Sequence, residues 1–491
     1  MLPFKTLINI DKNAATPVYL QIANAMVNLI RGGVIKPGAL LPSTREMALV
    51  LQVHRKTVVA AYEELYVQDW TETMPRKGIA VSQHLPEIKP RTFKPDVNTP
   101  GYAGNAAFVF KKLGAPVIAA SKTLPNRLVI NDGFPDARIA PIDLLLKEYR
   151  RLFNISSSRN LSMQGDRAGS INLRTAIAGF LSGTRALNIT AQNVLTSRGA
   201  QMAIYIAAAM ILKPGSTVIV GEPNYFMANM IFEQFGAKLI RIPVDENGID
   251  ADAIEKICKK KKPALLYIIP HHHHPTTVTL SADRRMKLLQ LIHEYKLPVI
   301  EDDYDYDFHY NRSPILPLAS AGHGGNVIYI GSLTKFLAPN IRVGYMVAPE
   351  NFVREAAQLR MMMDIRGDSL LEEALAALSN AGHIQRHLKK SVKLYHQRRD
   401  AFCNLLESEL NGIISFTKPQ GGMAVWARFN ERYPLPIISQ RASAHGLFIG
   451  DGSFYNSGNI NYNALRMGFA SLNEKEMEEI VAIIKKTVKG L

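Results

Sequence analysis

Apolar side chains in the first part of the chain recur with the period of a helix. Residues 17–31 carry them three and four positions apart, on one helical face. The positions that share this face are Tyr19, Ile22, Met26, Leu29 and Ile30. A second, shorter helix is expected over residues 44–51, because Ser43 and Glu46 have the spacing of a capping box.

A third helix is predicted directly after a tight turn at Gln52–His54. Its apolar positions, at the spacing i, i+3, i+4 and i+7, are Val58, Ala61, Tyr62 and Leu65. Two short helices joined by so short a turn indicate a helix-turn-helix unit. Residues 71–83 then favour a strand, a turn and a second strand, so the unit is predicted to carry a wing.

From about residue 126 the pattern changes to apolar, strand-like runs that alternate with helical stretches. The predicted strands are residues 193–197, 216–222, 238–244, 264–270, 297–303 and 326–332. Helical patterns lie between most of them, for example over residues 201–211 and 283–295. Such alternation predicts an α/β domain whose mainly parallel sheet is covered by helices on both faces.

Composition limits the class of protein and the number of domains. A chain of 491 residues, 47% of them hydrophobic, is too long for one ordinary core. We predict a small domain at 1–83, a proline-rich, basic and semi-rigid linker at 84–125, and a large domain at 126–491. Two cysteines exclude a disulfide framework. Neither a membrane-spanning run of ~20 apolar residues nor a secretory leader is found, so we expect a soluble, cytoplasmic protein.

The formal net charge of +16 does not single out one domain. Residues 1–85 hold nine Lys and Arg against six Asp and Glu, a net of +3. Residues 86–130 hold seven against two, a net of +5, and the remaining +8 is spread over the rest. A basic balance permits binding to a polyanion without demonstrating it, so a nucleic-acid function needs a motif.

The candidate motif is the helix-turn-helix unit, whose third helix would enter a major groove. The polar residues that fall at contact positions are Arg45 at the start of the second helix, Arg55, Lys56 and Thr57 at the start of the third, and Arg76, Lys77 and Gly78 at the tip of the wing. A basic wing tip suits a phosphate or the minor groove. The alternative is a small helical domain with a solvated cationic edge.

In open α/β sheets ligands bind beyond the carboxyl ends of the strands, so the residues that follow each predicted strand are candidates. In chain order these are Arg198, Gly199, Ala200 and Gln201; Pro223, Asn224 and Tyr225; the stretch HHHHPTT at 271–277; Glu301, Asp302, Asp303 and Tyr304; and Ser332, Lys335 and Arg342. Gly199 would let backbone N–H groups approach an anion at the start of a helix. The set offers an anion cradle, an aromatic ring, carboxylates and a shielded lysine.

That lysine, Lys335, stands in the apolar stretch GSLTKFLAPNIRVG at 331–344. Pyridoxal 5′-phosphate (PLP) needs all these groups at once: a lysine for the Schiff base, a carboxylate for its pyridinium nitrogen and a cup for its phosphate. An apolar pocket and a nearby cation both lower the pKa of an ammonium group, which would make Lys335 a nucleophile. Arg342 would hold the phosphate. A lysine that only snorkels from a buried loop would explain Lys335 but not the whole set.

Residues 41–65, LPSTREMALVLQVHRKTVVAAYEEL, resemble the GntR-type winged helix, and the resemblance extends over about residues 15–83. It implies DNA contacts by the residues that match Arg45, Arg55, Thr57, Lys77 and Gly78. Two departures stand out. His54 replaces the serine that usually caps the third helix, which is expected to weaken the cap by about 1 kcal/mol. Asp69-Trp70 replaces a glycine followed by a hydrophobic residue.

The lysine region resembles the fold-type I (class I) aminotransferases. SLTK followed by APNIRVGY matches their pattern S-x-[ST]-K-x-x-x-P-G-x-R-x-G, except that Asn340 replaces a glycine. EDDYDYDFHY, residues 301–310, resembles the EDDYDSEFRY stretch of the MocR family, and Lys335 lies 33 residues after Asp302, which matches that family's spacing. The MocR family joins a GntR-type winged helix to an aminotransferase-like domain. The resemblance thus covers nearly the whole chain and implies a PLP-dependent transferase fold with a smaller α+β C-terminal subdomain.

The resemblance also implies roles for individual residues. Lys335 would form the Schiff base, Asp302 would pair with the pyridine nitrogen and Tyr304 would bond the phenolic oxygen. Tyr225 would stack on the ring. The implied phosphate cup consists of Ala200, Gln201, Ser332 and Arg342. Arg466, in NALRMGFA, matches the arginine that binds the carboxylate of a substrate or effector, a task that suits a planar guanidinium.

Two stretches depart from the MocR pattern. His271 to His274 with Pro-Thr-Thr stand where that family has SHQYPTG. Adjacent side chains cannot easily converge on one ion, so we expect no metal site. Our hypothesis is that His274 faces the ring where aminotransferases use asparagine. Lys259 to Lys262 is interpreted as a solvated turn before a strand, with a nucleic-acid patch as the alternative.

We therefore predict a PLP-dependent transcription regulator that binds double-stranded DNA and senses an amino acid, an amine or PLP itself. The resemblance implies a homodimer, whose two winged helices would contact two half-sites. Arg466 would hold the effector's carboxylate. A catalytically active aminotransferase that carries a regulatory DNA-binding domain is the alternative, and whether turnover occurs stays open. The retained Asp302, Lys335 and Arg342 disfavour an inactive, unliganded enzyme domain.

Overall fold

The computed structural model describes residues 2–12, 14, 16–75, 77–85, 104–111, 128–154, 166–310, 315–458 and 460–490. The chain divides into two compact units, Met1–Lys112 and Leu113–Leu491. Most of the predicted linker at 84–125 lies outside the described residues, as does Arg76 at the tip of the wing.

The first unit is built from short helices and one hairpin. In its described part these are α1 (Phe4–Leu7), α2 (Val18–Arg31), α3 (Thr44–Leu51), α4 (Arg55–Val67), β1 (Thr71–Met74) and β2 (Gly78–Val81). The strands pair antiparallel, with Met74 opposite Gly78 at the turn. Ile22 and Met26 of α2 share a buried core with Val58 of α4. The predicted helix-turn-helix and its wing are confirmed.

A side-chain contact accommodates one departure from the GntR pattern, and a left-handed backbone conformation accounts for the other. Ser43 and Glu46 form the predicted capping box at the start of α3. His54, which was expected to weaken the cap of α4, supplies one itself, since its Nδ1 accepts a hydrogen bond from the Lys56 amide at 3.2 Å. Asp69 adopts the left-handed backbone conformation, with φ of 59°. Glycine reaches that conformation without strain, which explains the glycine in the family pattern.

The second unit alternates strands and helices as predicted. Its described strands are β3 (Leu128–Val129), β4 (Val194–Ser197), β5 (Thr217–Glu222), β6 (Lys238–Asp245), β7 (Gly248–Ile249), β8 (Leu265–Ile268), β9 (Val299–Asp302), β10 (Val327–Ser332), β11 (Gly344–Val347), β12 (Ile414–Ser415), β13 (Ala424–Phe429), β14 (Leu447–Phe448) and β15 (Ala464–Gly468). Its described helices are α5 (Ile142–Asn154), α6 (Ile171–Arg185), α7 (Ala200–Ile211), α8 (Phe226–Gln234), α9 (Ala251–Lys260), α10 (Ala282–Tyr295), α11 (Glu350–Asp364), α12 (Ser369–Asn380), α13 (His383–Glu409), α14 (Leu435–Ala444) and α15 (Glu474–Val488). The ends of the six predicted strands lie within two residues of the observed ends.

Eight of the described strands form one sheet, in the order β4-β11-β10-β9-β8-β5-β6-β7. Neighbours from β10 to β6 run parallel, while β11 runs antiparallel to both β10 and β4. Val218 and Val220 of β5 join the core that includes α7 and α8, whereas Ile219 joins the core that includes α9 and α10. Successive strand residues point to opposite faces, so helices cover both faces, as predicted.

A smaller α+β part follows the large sheet. Strands β12, β13 and β15 form an antiparallel sheet, and helix α15 packs against α13 and α14. Strand β3, near the start of the unit, pairs in parallel with β14. No helix in the described ranges has both the length and the apolar character that a membrane crossing requires.

Candidate functional site

The candidate site lies at the carboxyl edge of the large sheet. Asp302 ends β9 and Ser332 ends β10. Lys335 and Arg342 lie in the loop that joins β10 to the antiparallel β11, and Gly199 joins β4 to α7. Parallel strands whose carboxyl ends meet at one edge bring such residues together, which is the usual place for a ligand in this kind of sheet.

The Lys335 loop is held in place by buried apolar side chains. These are Leu333, Phe336, Leu337, Ala338, Ile341 and Val343. The Lys335 Nζ donates a hydrogen bond to the Gly133 carbonyl at 2.7 Å and lies 5.4 Å from the centre of the Tyr304 ring. Burial, and after it the charge of Arg466, lowers the pKa of Lys335 to about 8. A substantial fraction of this amine is therefore neutral near physiological pH, as a nucleophile requires.

Asp302 has one satisfied and one unsatisfied carboxylate oxygen. Its Oδ2 accepts a hydrogen bond from the Tyr267 hydroxyl at 2.7 Å. Its Oδ1 is buried and has no hydrogen-bond partner among the described residues. Burial raises the pKa of Asp302 to about 7, and the charge of Asp303 adds to this, while the Tyr267 hydrogen bond opposes it. An orphaned buried acceptor of this kind suits a protonated ring nitrogen, whose charge would favour the ionised carboxylate.

The start of α7 forms a cradle for an anion. The helix begins after Gly199, and no side chain of the described residues caps it. A Cβ atom on Gly199 would lie 2.6 Å from Nη2 of Arg342, so the guanidinium rests against this glycine. Free backbone N–H groups, the helix dipole and a cation together favour a phosphate. Ala200, Gln201 and Arg342, all predicted for the phosphate cup, are therefore brought together.

Ser332, the fourth predicted member of the cup, is buried beside the same backbone. Its register partner across the hairpin is Gly344. A Cβ atom on Gly344 would come within 2.7 Å of the Ala200 amide nitrogen. The Ser332 Oγ accepts a hydrogen bond from the Thr334 amide at 3.2 Å, which leaves its own hydroxyl hydrogen free to donate.

Tyr225 and His274 place two rings near this edge. Their centroids are 5.0 Å apart, with the rings edge to face. The His274 Nε2 lies 2.7 Å from Oδ2 of Asp132, while its buried Nδ1 has no partner in the described part of the chain. Burial lowers the pKa of His274, although Asp132 opposes the shift. A neutral imidazole with its proton on Nε2 therefore faces the carboxylate and keeps a lone pair on Nδ1.

Arg466, on β15, is fully buried beside Tyr304. Its Nη2 donates to the Tyr304 hydroxyl at 2.9 Å, and that hydroxyl donates in turn to the His272 carbonyl at 3.1 Å. The Arg466 Nε lies 3.3 Å from Oδ1 of Asp132. The Arg466 Nη1 is buried without a hydrogen-bond partner among the described residues. Arg466, which was predicted to bind a carboxylate, thus lies at the site with an Nη1 donor that none of the described residues uses.

His271 and His272 are engaged away from the ring-facing position of His274. The Nδ1 of His271 lies 3.0 Å from Asp303, and the Nδ1 of His272 lies 3.0 Å from Asp305. Among the residues that the structure describes, no group of three His, Cys, Asp or Glu side chains is arranged to hold a metal ion. These two histidines therefore serve as buried partners of carboxylates.

Asp132 is the residue that sequence reasoning missed. It lies three residues after β3, and its carboxylate contacts His274, Tyr455 and Arg466. The stretch NDGFPD around it has the composition of a turn. No local spacing connects it with Arg466, which is 334 residues away.

The first unit exposes its candidate DNA contacts. Arg45, Arg55, Lys56 and Lys77 are exposed, while Thr57 is half-buried. The Arg55 Nε donates to Oγ1 of Thr44 at 3.4 Å, which joins the starts of α3 and α4. Gly78 opens β2 with φ of 107°, a conformation that favours glycine. The starts of α3 and α4 and the wing thus each present a basic side chain to solvent.

Lys259 to Lys262 close α9 and lead into β8, and all four side chains are exposed. The exposure agrees with the predicted solvated stretch before a strand, but Lys259 and Lys260 belong to α9 rather than to a turn. The two cysteines, Cys258 and Cys403, are buried and unpaired.

Both units match known families. Residues 131–484 match the family described as "Aminotransferase class I and II". Residues 18–81 match the family described as "Bacterial regulatory proteins, gntR family". The two matched segments together span most of the chain and follow each other in the predicted order.

Full-length relatives share this arrangement. The chain is 28% identical to the HTH-type transcriptional regulator YdfD of Bacillus subtilis, over 96% of this chain and 97% of that protein. It is 25% identical to the probable rhizopine catabolism regulatory protein MocR of Rhizobium meliloti, over 99% of this chain and 96% of that protein. Among solved structures, the chain matches LysN, an α-aminoadipate aminotransferase from Thermus thermophilus that was solved in complex with N-(5′-phosphopyridoxyl)-L-leucine. The TM-score is 0.68 and the identity is 25%, over 74% of this chain and 93% of that chain.

Proposed function

Because the chain belongs to the class I and II aminotransferase family and carries a gntR-family DNA-binding domain before it, as the MocR-type regulators do, we propose that it is a transcription regulator that senses an amine or amino acid through PLP. The observation that carries the proposal is that Lys335 and Asp302 lie at the same edge of the sheet. The pKa of the Lys335 amine is lowered, and Asp302 has a buried carboxylate oxygen that bonds to none of the described residues.

The residues around this edge fit PLP, which supplies an aldehyde carbon for an amine and an electron-withdrawing ring. Lys335 would hold the cofactor covalently, and the Oδ1 of Asp302 would accept a hydrogen bond from the protonated ring nitrogen. Tyr225 would stack on the ring, with His274 and Tyr304 at its edge. The phosphate would lie on the N–H groups of Ala200 and Gln201, with Ser332 and Arg342 beside it.

The first unit would bind double-stranded DNA. Arg55, Lys56 and Thr57 at the start of α4 would enter the major groove, with Arg45 on the backbone. Lys77 and Gly78 would bring the wing to a phosphate or the minor groove. We place the protein in the cytoplasm as a homodimer, because the resembling family completes each site with residues of both subunits and two winged helices would match two half-sites.

The effector would be an amine or amino acid that enters beside Lys335, or PLP itself. A carboxylate on that effector would bind the free Nη1 of Arg466. A regulator needs only that its ligand shift the population of conformations, so turnover is not required. A catalytic aminotransferase with a regulatory DNA-binding domain is the second candidate, since the chain keeps the groups that such catalysis uses.

The test measures PLP binding at Lys335 and the effect of PLP and amines on DNA binding. Protein incubated with PLP should show a visible absorption band that Lys335→Ala abolishes, while Lys389→Ala, an exposed lysine on α13, leaves it intact. A gel shift on the DNA upstream of its own gene should change when PLP and a panel of amines are added. The change should be absent in Lys335→Ala.

Three outcomes would contradict the proposal in different parts. A visible band that survives in Lys335→Ala overturns the lysine assignment. DNA binding that ignores PLP and every amine overturns the sensing role. Steady conversion of amino acids to 2-oxo acids without any effect on DNA binding favours the second candidate.

A further inference from the structure

Asp132 brings a carboxylate into the candidate site, and the proposed function gives it no role. Its Oδ2 lies 2.7 Å from Nε2 of His274, and its Oδ1 accepts from the Tyr455 hydroxyl at 3.1 Å. The same Oδ1 lies 3.3 Å from Nε of Arg466. The three partners come from distant parts of the chain, so the carboxylate is fixed from several sides.

The contacts leave acceptor positions on the carboxylate and one donor group free. A carboxylate accepts about four hydrogen bonds, and His274 and Tyr455 occupy about two of those positions, because the Nε of Arg466 donates its one hydrogen to the backbone carbonyl of Asp132 at 3.2 Å. The Asp132 side chain is 36% exposed, whereas the Arg466 side chain is 0% exposed. The Arg466 Nη1 has no hydrogen-bond partner in the described ranges of the chain. An accessible acceptor therefore lies beside an unused donor.

The charges around Asp132 favour a cation more than a second anion. Burial disfavours its ionised form, but the hydrogen bond from the neutral His274 and the positive charges of Arg466 and Lys335 outweigh burial and lower the pKa of Asp132. The carboxylate is thus ionised at neutral pH and balances the positive charge of Arg466. A ligand carboxylate would gain less from a balanced arginine than from an unopposed one, and an ammonium group would gain a direct partner.

From this geometry we propose that Asp132 makes the site selective for a ligand with two amino groups, either a diamine or a diamino acid. One amino group enters beside Lys335, and the second donates to the accessible acceptor position of Asp132. Where the ligand also has a carboxylate, the free Nη1 of Arg466 binds it. The inference rests on the proposed function, since it names the ligand class of the same site.

The test compares matched ligand pairs that differ by the second amine. Protein carrying PLP is titrated with ornithine against norvaline, lysine against norleucine, and putrescine against butylamine. Binding is measured by the change in the visible spectrum and by the shift in melting temperature. At least one dibasic ligand should bind about tenfold or more tightly than its partner, since a hydrogen bond between charged groups has that order of effect.

Two variants and a control decide the role of Asp132. In Asp132→Asn the preference should fall to near one, while Asp143→Asn, an exposed carboxylate in the first turn of α5, should keep it. Asp132→Glu moves the charge outward by one methylene, so it should keep the preference but shift it to a ligand one methylene shorter. If Asp132→Asn no longer binds PLP, the ligand preference of Asp132→Glu tests the proposal instead.

Several results would overturn the inference. They are a wild-type protein without preference for a second amine, a preference that persists in Asp132→Asn, or an unchanged order of ligands in Asp132→Glu. If the wild type shows the Lys335-dependent band but no such preference, this inference fails and the proposed function stands. Absence of that band in the wild type would instead refute the proposed function.

Discussion

The two units present their functional side chains in opposite environments. Arg55 and Lys56 on α4 are exposed to water, whereas Arg466 is fully buried and the Lys335 amine has a pKa lowered by burial. Exposed cations attract a polyanion over a distance and are weakened by salt. Buried groups act at contact range, in a setting where each unpaired atom is costly. Under the proposed function, the same residue types would therefore serve two kinds of recognition.

The difference predicts how each unit responds to the loss of one group. Removal of a buried charge partner leaves its ligand desolvated and unpaired, which has a large effect. Removal of an exposed cation costs one contact among several.

The largest effect is expected for Asp302→Asn. The amide cannot offer the protonated ring nitrogen a charged acceptor, so the affinity for PLP should fall about a hundredfold. Because the pKa of Asp302 is raised to about 7, wild-type affinity should weaken as the pH falls through that value and the carboxylate is protonated. The variant should lose this part of the pH dependence. Equilibrium dialysis against PLP at several pH values measures both.

Asp143→Asn is the matched control for that measurement, because Asp143 is an exposed carboxylate in the same unit. Equal PLP affinity and an equal pH profile in Asp302→Asn and the wild type would contradict the assignment of Asp302.

A smaller effect is expected for Arg55→Ala. If Arg55 contacts a base or phosphate at the start of α4, operator affinity should fall about tenfold, and the dependence on salt should become shallower. The visible band should stay unchanged, because Arg55 belongs to the other unit. Fluorescence anisotropy with labelled DNA at several salt concentrations gives both quantities. Arg31→Ala is the control, because Arg31 is an exposed arginine at the end of α2. Equal losses of operator affinity in the two variants would contradict the assignment of α4 as the helix that enters the major groove.

The smallest effect is expected for His54→Ala. Loss of the hydrogen bond from the Lys56 amide to His54 should lower the free energy of unfolding of the first unit by about 1 kcal/mol. Urea unfolding followed through Trp70 measures it, in a Trp426→Phe background that leaves one tryptophan. His54→Ser, which restores the family's cap, should unfold like the wild type. A His54→Ala protein as stable as the wild type would show that the imidazole cap contributes nothing.

The first unit could be predicted from local spacing. The capping box of Ser43 and Glu46, the apolar face of α4 and the wing each depend on residues a few positions apart. The structure adds what spacing does not contain, namely that the His54 imidazole itself accepts a backbone hydrogen bond.

The site in the second unit could be predicted only in part. Strand ends gave Asp302, Ser332 and Lys335, because apolar runs mark where each strand stops. The contacts of His271 with Asp303 and of His272 with Asp305 could also have been predicted from the sequence. Both stretches follow neighbouring parallel strands, β8 and β9, whose carboxyl ends adjoin.

Asp132 was beyond sequence reasoning for a physical reason. Its position next to Arg466 depends on how β3 and the small antiparallel sheet meet, and a single sequence carries no local signal for that. Contacts between residues hundreds of positions apart reflect tertiary packing, which pattern and propensity do not encode.

The burial of four consecutive imidazoles has a practical consequence at the bench. His271 to His274 are 1%, 1%, 6% and 5% exposed, so the native chain hides a run that resembles a short purification tag. Nickel prefers imidazole nitrogen, and a chain unfolded in urea would offer it four neighbouring ones. An untagged preparation should pass through nickel resin when native and be retained when denatured, so retention reports misfolded molecules.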